Sequence, residues 1–154
     1  MKHILKLVLC SSLSMMFLAS CEKDEIKDYF NGGTAPVLTS SVEALNLNYA
    51  DADKEALTLN WTNPNYTFTT GVSSQDVSYI IEIDTVGSNF SNPQKQSVSV
   101  SKDLSRSFVI SQFNDYLLNQ LVLKPGVQHT LEIRVVASLG NGAGTLVSNS
   151  LQLN

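Results

Sequence analysis

The sequence predicts an all-β sandwich with one short helix, and three observations carry that reading. From residue 36 onward, apolar and polar residues alternate over short runs, the period-2 mark of half-buried strands. Turn signals recur about every ten residues, which suits about seven or eight short strands. One stretch alone carries a helical stripe of apolar residues. With 154 residues, the chain fits one domain at roughly 100–200 residues each.

The elements follow in order. Val37-Leu38-Thr39 opens the sheet after Pro36, and Val42 with Leu45-Asn46-Leu47 reads as a short edge run. Ala56–Trp61 alternates, so Leu57, Leu59 and Trp61 share one face. Val77–Asp84 places Val77, Tyr79, Ile81 and Ile83 together and leaves Glu82 and Asp84 on the other, solvent-exposed face. Gln96–Val100 and Ser107–Ile110 come next, with Phe108 and Ile110 inward. Thr130–Val135 points Leu131, Ile133 and Val135 inside, and Thr145–Ser148 and Leu151–Leu153 close the chain. Asn63-Pro64-Asn65, Gly87-Ser88-Asn89, Pro125-Gly126 and Asn141-Gly142 mark turns between them. The helix is expected over Ser111–Leu121. Phe113, Leu117, Leu118 and Leu121 form its stripe, and Ser111 is placed to cap it.

The first twenty residues have the form of an export signal. Lys2 and Lys6 precede a short apolar stretch that is too brief for a spanning helix of about 20 apolar residues. Leu18-Ala19-Ser20-Cys21 resembles the bacterial lipobox, in which cleavage before the cysteine frees a thiol for acylation. A secreted protein with a chance cysteine is the alternative. Stable anchoring needs more than one acyl chain, at about 0.8 kcal/mol per buried CH₂, and a triacylated Cys21 would supply three. Cys10 would leave with the signal, so no intramolecular disulfide is expected. The organisation expected is therefore a signal over 1–20, a lipidated charged and glycine-containing linker over 21–35, and a sandwich over 36–154. Within the linker, Gly32-Gly33 is expected to be flexible, with Tyr29 and Phe30 near the domain base or the lipid.

Charge narrows the partners. The net charge of −4 becomes more negative once Lys2 and Lys6 are removed, which excludes an extended basic surface for nucleic acid. Catalysis finds little support. His129 would be the sole histidine of the mature chain, and no Gly-x-Ser-x-Gly elbow is present. Glu82 and Asp84 imitate a glycosidase pair only in spacing. Asp51-x-Asp53-x-Glu55 lacks the glycine and distal glutamate of a calcium loop. No catalytic residue, metal ligand or cofactor site is assigned.

Several motifs carry a resemblance. Lys23-Asp24-Glu25 looks like the surface-export tag of Gram-negative glycan-degrader lipoproteins, the alternative being a plain solvated tether. Leu123-Lys124-Pro125-Gly126 followed by His129-x-Leu131-x-Ile133-x-Val135 resembles the approach to the F strand of fibronectin type III domains. There His129 stands in place of a tyrosine that makes a corner hydrogen bond, which an imidazole N–H could also make, the competing reading being a partly buried loop-end histidine. Together with Ala35–Thr39, Asp53–Thr62 and Tyr79-x-Ile81-Glu82-Ile83-Asp84-x-x-Gly87-x-Asn89-Phe90, these stretches resemble the N-terminal domain of the SusE family of outer-membrane lipoproteins.

The resemblance implies an immunoglobulin- or fibronectin-like sandwich, with Trp61 in its core. It also implies a surface lipoprotein of a starch-utilisation-type glycan-uptake complex, anchored in the outer membrane and facing outward. Its expected partners are a TonB-dependent transporter and its lid lipoprotein. The family's starch-binding modules lie downstream of this domain. A short member, a split gene or a fragment would each account for a sequence spanning one sandwich. The expected role is a non-catalytic platform or spacer. Two alternatives remain: a direct polysaccharide binder, or a structural or adhesion domain unrelated to glycans. Aromatic residues beside amides suit sugar contact, so Tyr66 and Phe68 in Asn63–Phe68 are the first candidates, with Phe90 and Tyr116 behind them. Packing of these rings into the sandwich edges is the competing reading.

Overall fold

The computed structural model describes residues 27–154. Cys21, Lys23, Asp24, Glu25 and the expected signal segment lie outside the described residues.

The core lies between two antiparallel sheets, as a half-apolar strand pattern requires. One sheet has three strands in the order β2 (Leu38–Ser40), β3 (Glu55–Trp61), β8 (Ser105–Val109). The other runs β10 (Leu146–Val147), β9 (Leu131–Leu139), β6 (Val77–Thr85), β7 (Gln96–Ser101), and β11 (Leu151–Leu153) also pairs with β9. Leu57, Leu59, Trp61 and Phe108 from the first sheet meet Tyr79, Ile81, Ile83, Ile133 and Val135 from the second. The long β6–β9 pair is in unbroken register from Val77↔Leu139 to Thr85↔Leu131, so the alternation read from the sequence places every inward side chain correctly.

Four expectations are corrected. The run at Leu45–Leu47 forms no strand, because β2 ends at Ser40 and its sheet partner is β3. Leu45 and Leu47 instead pack against the end of the core. The segment expected to be linker through residue 35 contributes β1 (Phe30–Gly32), which pairs with β4 (Thr67–Phe68), itself paired with β5 (Gly71–Val72). Gly33 is tightly packed there. A Cβ on it would lie 2.7 Å from the Tyr66 ring and 2.9 Å from the Pro64 carbonyl.

The helix begins at Ile110, so Ser111 is not its cap. The first free N–H groups are met by backbone: Ile110 N donates to Lys54 O and Ser111 N to Ala52 O, both at 2.9 Å. This helix, α1 (Ile110–Asp115), continues as a π-helical turn over Tyr116–Gln120. Finally, Glu82 and Asp84 are buried rather than exposed, because the 86–95 loop brings Phe90 and Lys95 against the outer side of β6.

Candidate functional site

The two ends of the sandwich differ in chemistry. At the end where residues 27–33 join the fold, Phe30, Tyr66 and Phe68 pack on one another, while Tyr29 is exposed and Phe30 keeps part of its ring in solvent. Phe30 packs edge-on against Phe68 with ring centroids 5.4 Å apart, and tilts against Tyr66 at 5.8 Å. Tyr66 is only 1% exposed. Its hydroxyl lies 2.5 Å from Gly144 O and 3.1 Å from Ala137 O, and its single proton serves either carbonyl. Burial pushes the Tyr66 phenol above its ordinary pKa. The turn chemistry of Asn63-Pro64-Asn65 therefore folds this loop inward, and Tyr66, one of the two first candidates for sugar contact, has no exposed face. Phe68 is half-buried in the same cluster.

The remaining sequence candidates are also engaged. Phe90 is buried under the Arg134 guanidinium, whose Cζ lies 4.0 Å from the ring centroid. Tyr116 packs edge-on against Phe108 at 6.1 Å and accepts a hydrogen bond from Gln112 Nε2 at 3.0 Å. His129 Nε2 lies 3.0 Å from Lys124 O. A carbonyl only accepts, so that nitrogen carries the proton in this bond, made by a half-buried histidine at the end of the loop. Trp61 lies in the core.

On the outer side of the larger sheet, Glu82 takes Lys95 Nζ at 2.8 Å and Arg134 Nε at 2.7 Å. Burial alone would raise its carboxyl. The two charged hydrogen bonds outweigh burial and hold it below the usual carboxylate range. Asp84, fully buried, accepts from the backbone N–H of Thr85 at 2.8 Å and of Asn92 at 3.4 Å. These contacts bind the 86–95 loop to the sheet. Asp51 is paired with Lys54 at 2.7 Å, and no cluster of three or more metal-capable side chains occurs among the described residues.

The opposite end holds an open groove of about 670 Å³. Leu45, Leu47, Leu117, Leu123 and Leu131 supply an apolar floor. Asn46, Asn114 and Gln128 line it, and their side chains make no hydrogen bond among the described residues. Tyr49 stands at the rim and is 94% exposed. It sits on a 3₁₀ turn, Tyr49–Asp51, held by Asn48 Oδ1 accepting from Ala50 N at 3.0 Å. Reading Leu45–Leu47 as a strand hid this site. The run Asn46-Leu47-Asn48-Tyr49-Ala50-Asp51, an amide-rich stretch leading into an acidic turn, was the signal that marked it.

A family model described as SusE outer membrane protein matches residues 23–136. The chain belongs to the SusE family. No curated protein matches it. Membership places this SusE-family chain at the outer membrane, and no helix among the described residues is long and apolar enough to cross one. The match runs from the N-terminal segment into β9, so it covers both the aromatic cluster around Phe30 and nearly all of the groove at the other end.

Proposed function

We propose that this SusE-family chain is a lipid-anchored, outward-facing and non-catalytic accessory of a Sus-type glycan-uptake complex, acting as a platform beside a TonB-dependent transporter and its lid lipoprotein. The family match over residues 23–136 carries this reading. The lipobox-like Leu18–Cys21 and the Lys23-Asp24-Glu25 tag supply the anchor and its orientation. Trp61 in the core and the bond from His129 to Lys124 O favour the immunoglobulin/fibronectin type III kind of sandwich. The polar side chains that imitated catalytic sets are occupied structurally, which favours a binding role over a reaction.

Affinity isolation of the full chain from detergent-solubilised outer membranes tests the proposal. The expected result is recovery of the transporter and lid protein, together with an acylated Cys21 by mass spectrometry. Recovery of the chain without partners and with an unmodified N-terminus would overturn it.

A further inference from the structure

We propose that the groove between Tyr49 and Gln128 binds a short neutral oligosaccharide. Tyr49 would stack on a sugar ring, and Asn46, Asn114 and Gln128 would read its hydroxyls. The choice of a sugar as ligand rests on the glycan-uptake reading above.

Three observations build the site. The first is the unspent polar inventory. A carboxamide offers two donors and an acceptor, which matches a sugar hydroxyl that both gives and takes a hydrogen bond. Elsewhere the candidates Tyr66, Phe90 and Tyr116 are engaged by carbonyls or side chains of the protein itself. Here Asn46, Asn114 and Gln128 are left free among the described residues, over a floor of leucines. An apolar floor with a few placed polar groups is the composition of a small-ligand site, and about 670 Å³ lies within the usual range of roughly 300–1,000 Å³.

The second is the aromatic platform. Tyr49 is 94% exposed, yet its backbone is fixed by the Asn48 cap and by Lys54 N donating to Asp51 O at 2.8 Å. Exposing a large ring on a held turn leaves its face available at little ordering cost on binding.

The third is charge and placement. Asp115 and Lys124 are the charged residues lining the groove, so their charges balance and neither a phosphate nor a polyacid is favoured. The strand residue on the groove floor, Leu131, is paired on one side with β6 and on the other with β11, so it offers no open sheet edge for a peptide to extend. β9 runs from Leu131 at the groove to Leu139, beyond which Gly144 meets Phe30 and Tyr66. Nine residues of strand separate the groove from the N-terminal segment by roughly 25–30 Å. A chain held by its N-terminus would present the groove away from the holding surface.

The test is affinity electrophoresis of the full chain in gels containing amylopectin, arabinoxylan or galactomannan, with polygalacturonate as the anionic control. Retardation by at least one neutral polymer is expected. Tyr49→Ala, and separately the double change Asn114→Ala with Gln128→Ala, should each weaken binding by about tenfold while the thermal unfolding curve stays unchanged. Absence of retardation in every neutral gel, retardation that survives Tyr49→Ala, or retardation by polygalacturonate alone would each overturn the proposal. The transporter isolation above does not use Tyr49, so its failure and this one are separable.

Discussion

The sandwich is closed at one end and open at the other, and the same residue types produce both. Around Phe30, tyrosine and phenylalanine rings interlock, and Gly33 and Gly144 approach them so closely that a Cβ would come within 2.8 Å of an aromatic carbon. Around Tyr49, a tyrosine and several amides stand free over leucines. Residue type therefore says little about which tyrosine is buried and which stays exposed. What decides it is whether the local turn folds the ring under the sheet or lifts it off. Asn65, with φ of 49°, turns the chain so that Tyr66 enters the sandwich, whereas Asn48 caps a 3₁₀ turn that carries Tyr49 outward.

The largest effect expected separates these two tyrosines. Tyr66→Ala removes a fully buried ring from a packed cluster and should cost about 3–5 kcal/mol. Tyr49→Ala should change stability by less than about 0.5 kcal/mol. Urea unfolding of both variants checks this, and similar losses in the two would erase the contrast between the ends.

A smaller effect is expected at the outer side of β6. Arg134→Ala leaves Glu82 with Lys95 alone and uncovers Phe90, at a cost of about 2 kcal/mol. The change also carries a pH signature. The folded-state pKa of Glu82 is depressed, so its contribution is complete above the ordinary carboxylate range and is lost as the pH falls through the lowered value. The fall in stability between neutral and acid pH should be shallower in Arg134→Ala than in the parent. An unchanged slope would mean that Arg134 does not hold the Glu82 carboxyl in its charged form.

The strands were legible because alternation needs only one buried face, and β3, β6 and β9 each have one. Leu45–Leu47 alternates equally well but has one backbone bond, Leu45 N to Asn154 O at 2.7 Å, in place of a ladder, and pairing is non-local information that no short pattern contains. Glu82 and Asp84 read as exposed because a sheet's second face is usually wet. A loop eight residues downstream covers them here, through backbone donors such as Asn92 N that leave no mark in composition. The groove escaped for a related reason. Its walls come from residues 45–52, from α1 with its π-helical turn, and from residues 123–129, three segments brought together only by the closed sandwich.

The smallest expected effect compares Tyr66 with another buried tyrosine, Tyr79. Both are 1% exposed, and burial raises both phenols. The Tyr66 hydroxyl reaches two carbonyls, whereas the Tyr79 hydroxyl has no partner among the described residues. Removing a satisfied buried hydroxyl loses a hydrogen bond worth roughly 0.5–1.5 kcal/mol and strands its acceptor, so Tyr66→Phe should destabilise by about 1–2 kcal/mol. Removing an unpartnered one leaves nothing unsatisfied and ends the cost of its desolvation. Tyr79→Phe should therefore be neutral or stabilising by up to about 1 kcal/mol, with the Trp61 packing at 5.5 Å retained. Denaturant midpoints for the two phenylalanine variants should move in opposite directions, or Tyr79's should stay fixed while Tyr66's falls. Equal falls would mean that the Tyr79 hydroxyl has a bonding partner in solution, and the contrast between the two buried phenols would be lost.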